Sequence, residues 1–158
     1  MVGCHLYFII CHKNQTYFVI VRKLLRKLPT EKEGMNPVLI EATPTTPAIN
    51  FCTDGRLLIE GRSLPRNVNE FYKPLIEWIT NLSVEAVILD VNMEYFNSAS
   101  EKMLLTLLKS LDANSRIKSL IINWHYEAGD DSVLETGQIF EELLRRVPFR
   151  YHEYSETA

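Results

Sequence analysis

Residues 85–91 read Glu-Ala-Val-Ile-Leu-Asp-Val, a nearly unbroken apolar run. Such a run predicts a central strand covered on both faces. Residues 98–112 then set Leu104, Leu107, Leu108 and Leu111 at three- and four-residue steps, which is one face of a helix. The same spacing recurs in residues 67–82 through Val68, Phe71, Leu75, Trp78 and Leu82. Pro74 inside this helix is expected to bend it or mark a late start. Residues 130–147 open on Asp130 and Asp131, which suit the positive end of a third helix. Residues 117–126 read as another central strand, and shorter runs at 38–42, 48–51, 56–61 and 148–154 as further strands. Thr43-Pro44-Thr45-Thr46-Pro47 breaks the first of them, and Asp54-Gly55 is a strong hairpin signal joining 48–51 to 56–61 antiparallel. Hairpin, helix, strand, helix, strand, helix, strand predicts an α/β single domain, a mixed β-sheet with about three helices packed on it.

Composition narrows the function. The 158 residues suffice for one domain with its own core. A net charge of −3 and pI of about 5.8 argue against nucleic acid as the main partner, because such domains carry a basic face. The charge is uneven: residues 1–34 carry +4 and residues 35–158 carry −7. The first part holds no apolar run of the ~18–20 residues a membrane span needs. Its Arg-Lys-Leu-Leu-Arg-Lys cluster follows the apolar stretch, the reverse of a signal peptide. Met35 opens Met-Asn-Pro-Val-Leu-Ile, a natural start. The expected organisation is an N-terminal extension at 1–34, read as upstream translated sequence rather than a basic membrane anchor, and a domain at 35–158. Three cysteines, Cys4, Cys11 and Cys52, with no C-x-x-C, point to a reducing, cytoplasmic setting without a disulfide framework. The Cys4-His5 and Cys11-His12 pairs lack a further ligand set, so no metal is expected there. Asn14–Thr16 and Asn81–Ser83 match glycosylation patterns, but nothing supports secretion.

Catalytic motifs are missing: there is no Gly-rich nucleotide loop, nucleophile elbow or zinc-protease pair. No catalytic residue and no cofactor are therefore expected. His125, Glu127, Asp130 and Asp131 gather at a strand end, where they would serve a small metal-assisted hydrolase. The same residues read more simply as a loop with acids at a helix start. Asn97-Ser98-Ala99-Ser100 stands between a strand and a helix. Ser98 with Glu101 three residues later fits a capping box, in which the Ser98 oxygen accepts from the Glu101 amide. A hydroxyl there also has a functional face, because a phosphate on it would meet unpaired amides and the positive helix end. A constitutive structural interaction module is the remaining alternative.

Four segments, Glu41–Ile49 (EATPTTPAI), Gly61–Ile79 (GRSLPRNVNEFYKPLIEWI), Glu94–Leu104 (EYFNSASEKML) and Ile122–Gly137 (INWHYEAGDDSVLETG), resemble in order the SiaC family of bacterial regulatory phosphoproteins. The resemblance implies a STAS-like fold and a non-enzymatic signalling switch. A dedicated protein kinase phosphorylates a hydroxyl that begins a helix, a PP2C-type phosphatase removes the phosphate, and the unphosphorylated form binds a diguanylate cyclase, linking it to c-di-GMP regulation. The switched position falls on Ser98, with Ser100 a competing acceptor and Ser98 preferred for its fit to the cap. Tyr95, Asn97, Ser98 and Ser100 would then form a partner-docking surface, joined by Gly61, Ser63, Pro65 and Asn67. Turn chemistry and helix capping also account for Gly61 and Asn67. Two departures stand out. The family often shows Asn-Thr-Ser-Ser where this chain has Asn97-Ser98-Ala99-Ser100, and an acid where it has Arg66.

Overall fold

A computed structural model of the chain describes residues 35–155. The expectations for residues 1–34, including Cys4, His5, Cys11, His12 and Asn14–Thr16, lie outside the described residues. The described chain runs β1 (Val38–Ile40), β2 (Ala48–Phe51), β3 (Arg56–Ser63), α1 (Val68–Asn81), β4 (Ala86–Phe96), α2 (Ser98–Ala113), β5 (Ser119–Glu127), α3 (Asp131–Leu144) and β6 (Phe149–Tyr154). The six strands lie in sequence order across one sheet. The β1/β2 and β2/β3 pairs are antiparallel, and the β3/β4, β4/β5 and β5/β6 pairs are parallel. This is the expected α/β domain with a mixed sheet and three helices.

The Asp-Gly hairpin forms between β2 and β3. Gly55 sits at φ 95°, where a side chain is strained, and a Cβ would come 2.1 Å from the Ala86 carbonyl oxygen. Beyond the hairpin, each parallel step is made by one helix. Successive crossovers of one hand along a linear strand order place all the helices on the same face.

The strand register shows the result. Phe51, Leu57, Leu89, Ile122 and Phe149 line up across five strands, as do Ile49, Ile59, Val91, Trp124 and Tyr151. All are buried but Tyr151, which is half-buried. The alternate rows hold Leu58, Asp90, Asn123 and Arg150, and Glu60, Asn92, His125 and His152. The expectation that β4 is covered on both faces therefore fails. Val87, Leu89 and Val91 are buried, but Ile88 is 43% exposed. Its continuous apolar run reflects parallel-strand composition rather than two covering layers.

Helix α1 starts at Val68, so Pro74 does not delay it, and Pro74 lies exposed within the helix. Its buried stripe is Tyr72, Leu75, Ile79 and Leu82, turned slightly from the expected one. Trp78 falls at the margin, where its indole N–H donates to the Asn36 carbonyl at 2.7 Å. In α2, Leu104, Leu107, Leu108 and Leu111 are fully buried as expected. Each such side chain contributes about 1.5–3 kcal/mol. Asn114 closes α2 and donates to the Ile79 and Leu82 carbonyls at 2.9 and 3.0 Å, fastening the ends of α1 and α2 together. Helix α3 ends at Leu144, before the expected 147, because Arg145 takes a positive φ of 26°. No described helix is long and apolar enough to cross a membrane.

Candidate functional site

Strand β4 does not stop at Val91 but continues through Asn92–Phe96, because β3 continues to Ser63 beside it. A bulge intervenes: Gly61 faces Met93, yet the next pair is Arg62 with Tyr95, so Glu94 is the extra residue. Gly61 sits at φ 101°, which suits a glycine at such a kink. Arg62 then lies over the Tyr95 ring, 5.7 Å from its centre, and Tyr95 is 48% exposed.

The chain leaves β4 at Asn97, whose N–H donates to the Ser63 carbonyl at 3.2 Å. Asn97 is extended, at φ −83° and ψ 167°, and its side-chain oxygen accepts from the Ser100 N–H at 2.8 Å. Its backbone carbonyl accepts from the Glu101 N–H at 2.9 Å. Asn97 is thus the N-cap and Ser98 the first helical residue. The capping box expected at Ser98 and Glu101 is corrected by one position. Asparagine caps as well as serine, and the Ser63–Phe96 pairing holds the strand extended up to Asn97.

This shift separates the two serines. Ser98 is exposed, and among the described residues its hydroxyl has no hydrogen-bond partner. The amides of Ser98 and Ala99 open the helix, where no preceding carbonyl can reach them. Ser100 is fully buried. Its oxygen accepts from the Ser63 hydroxyl at 2.9 Å, and the Ser63 oxygen lies 2.8 Å from the Tyr72 hydroxyl. Burial pushes the Tyr72 phenol up from its ordinary pKa.

The expected docking residues therefore divide. Tyr95 is on the surface, Asn97 is the cap of α2, and Pro65 is half-buried. Asn67 is exposed and caps α1, accepting from the Glu70 N–H at 3.3 Å. Gly61, Ser63 and Ser100 are buried. Ser63 and Ser100 hold the site together from inside. Sequence reasoning missed Tyr72 and Arg62. A signal for Ser100 existed: it precedes Leu104 by four residues and Leu107 by seven, on the same helix stripe. The Leu64 N–H donates to the Thr45 carbonyl at 2.8 Å, which ties the proline-rich loop to this end of the sheet.

The other candidate cluster does not converge. His125 lies on the alternate face of the sheet, 3.2 Å from an Asp90 oxygen and stacked on His152 at 4.9 Å. Asp130 is the N-cap of α3, its oxygen accepting from the Val133 N–H at 3.1 Å. Asp131 is the first residue of that helix, and Glu127 is exposed at the strand end. Among the described residues no group of three or more His, Cys, Asp or Glu is arranged to hold a metal ion.

Comparison with known proteins gives consistent results. A family model described as SiaC family regulatory phosphoprotein matches residues 40–154. An uncharacterized protein of Pseudomonas aeruginosa strain UCBPP-PA14 is 29% identical over 113 residues, covering 68% of this chain and 90% of that protein. A chain in the crystal structure of the diguanylate cyclase SiaD in complex with its activator SiaC, from Pseudomonas aeruginosa, matches with TM-score 0.66. The identity is 27%, and the match covers 74% of this chain and 99% of that chain. The crystal structure of apo-SiaC from the same species matches with TM-score 0.62 at 29% identity, covering 75% of this chain and 99% of that chain.

Proposed function

Because the chain belongs to the SiaC family of regulatory phosphoproteins, and is thus a regulatory partner protein rather than an enzyme, we propose that it is a phosphorylation-controlled partner switch with Ser98 as the acceptor. One observation carries this reading: Ser98 is exposed at the first position of α2 with its hydroxyl uncommitted, while Ser100 two residues on is sealed inside. A phosphate on Ser98 would meet the open amides and the positive end of the helix, so the fold tolerates it. A partner docked over Tyr95 and Ser98 would meet about two new negative charges. A protein kinase writes the phosphate and a PP2C-type phosphatase removes it, both acting in the cytoplasm. The related SiaC of Pseudomonas aeruginosa is the activator of the diguanylate cyclase SiaD. By extension, the unphosphorylated form of this chain binds a diguanylate cyclase, with Arg66 adjusting which one.

The test combines phosphosite mapping with binding. Protein recovered from its native cells should carry phosphate on Ser98. Ser98→Ala should keep partner binding. Ser98→Asp sets an unpaired carboxylate in the interface, which costs several kcal/mol when buried. At about 1.4 kcal/mol per tenfold, affinity should fall roughly a hundredfold or more. Phosphate found only elsewhere, or equal affinity for the two variants, would rule out Ser98 as the switch and leave a constitutive interaction module.

A further inference from the structure

We infer that Tyr72, Ser63 and Ser100 are positioning residues that set the geometry in which Ser98 is presented, an inference that rests on the reading of Ser98 as the acceptor. The three hydroxyls form one buried chain, 2.8 Å from Tyr72 to Ser63 and 2.9 Å from Ser63 to Ser100. They come from three separate elements: α1, the end of β3, and the first turn of α2. All three residues are fully buried. In an apolar core, an aliphatic side chain of similar size would fill the same space without any requirement for partners. Hydroxyls there are directional, and a buried donor or acceptor left unmade is penalised.

The direction of the bonds identifies what they hold. The Ser63 hydroxyl donates to the Ser100 oxygen, so the Tyr72 hydroxyl donates to Ser63. The same two serines carry the main-chain frame of the site. The Ser63 carbonyl accepts from the Asn97 N–H, and the Ser100 N–H donates to the Asn97 side chain. Asn97 is therefore gripped from both sides by residues that the tyrosine chain joins underneath. Ser98, next along, inherits its orientation from that grip. The chain also turns the second hydroxyl of the Asn97–Ser100 segment inward, which confines modification to Ser98.

Tyr72→Phe tests this with the loss of a single oxygen and no change of shape. Hydrogen exchange should be followed at the Asn97, Ser100 and Glu101 amides, which donate to the Ser63 carbonyl, the Asn97 side chain and the Asn97 carbonyl. The expected result is exchange at least roughly tenfold faster at these amides than the variant's change in global stability accounts for. Ser63→Ala should give the same local effect, and the double variant no more than the larger single one, because one chain is broken in each case. Phosphosite mapping of Tyr72→Phe from native cells should show reduced occupancy of Ser98 or phosphate appearing on Ser100. Exchange that rises only with global unfolding, or additive effects in the double variant, would overturn the positioning role. Wild-type protein without phosphate on Ser98 would instead overturn the acceptor assignment, and the exchange result would stand apart from it.

Discussion

Replacing Asn97 by alanine removes the one side-chain oxygen that caps α2. The Ser100 N–H it receives, at 2.8 Å, belongs to a fully buried residue, so water is poorly placed to substitute. Loss of an asparagine cap costs about 0.5–2 kcal/mol. The stranded amide moves this site to the upper part of that range, since a buried donor left unpaired carries a penalty of about 1–3 kcal/mol. A loss of about 2 kcal/mol in a domain of this size lowers the melting temperature by roughly 8 °C. Ser98→Ala makes the contrast. Ser98 is exposed and its oxygen caps nothing, so its replacement should stay within about 0.5 kcal/mol. Ser98→Asp should be neutral or slightly stabilising, because a carboxylate at the first helical position suits the dipole. Thermal and urea unfolding of the three variants, followed by circular dichroism, measures all of this. A loss for Ser98→Ala equal to or larger than that for Asn97→Ala would show that Ser98 is the cap. The separation of the two serines, and with it the case for Ser98 as acceptor, would then fail.

Gly137 packs against Trp124, and a Cβ there would come 2.7 Å from the indole nitrogen. Gly137→Ala should therefore displace the ring, weaken its 3.0 Å bond to the Val133 carbonyl and destabilise by about 1–3 kcal/mol, against a helix-propensity gain of about 1 kcal/mol. An unchanged melting temperature with unchanged tryptophan fluorescence would contradict this packing. Two tyrosines make the fold sensitive to alkali. Burial, then the hydrogen bond and charge of Glu141, raise the Tyr151 phenol, and burial raises Tyr72. Their folded pKa values exceed the unfolded value of about 10, so the stability they contribute is intact below that pH and is lost as pH rises above it. Urea midpoints should fall from about pH 10 upward and fall less in Tyr72→Phe and Tyr151→Phe; a flat wild-type profile would refute the linkage. His125→Ala and Asp131→Ala should change no metal content, while Asp130→Ala should lose about 0.5–2 kcal/mol through its cap. Elemental analysis finding about one metal per chain, removed by these substitutions, would restore the hydrolase reading.

The sequence by itself determined the kinds of element and most of their inward stripes. Three- and four-residue spacing found the helices, and the α2 leucines it selected are all buried. Asp54-Gly55 specified the hairpin because few residue pairs adopt that turn. The phase of the α2 stripe also included Ser100, four residues before Leu104, although a polar residue there is easily taken for surface. Three things were decided only in three dimensions. An apolar run states that a strand is buried but not how many layers cover it, so Ile88 was misplaced until the linear strand order put every helix on one face. Asn97 and Ser98 offer equally good cap chemistry, and the choice between them fell to the pairing of Ser63 with Phe96, a contact between residues far apart in the chain. The hydroxyl chain was unreadable for the same reason: Ser63, Tyr72 and Ser100 meet only when the end of β3, α1 and the first turn of α2 pack together. Local pattern fixes what each segment can be, while the long-range pairing of β3 with β4 decides which of two neighbouring serines faces the solvent.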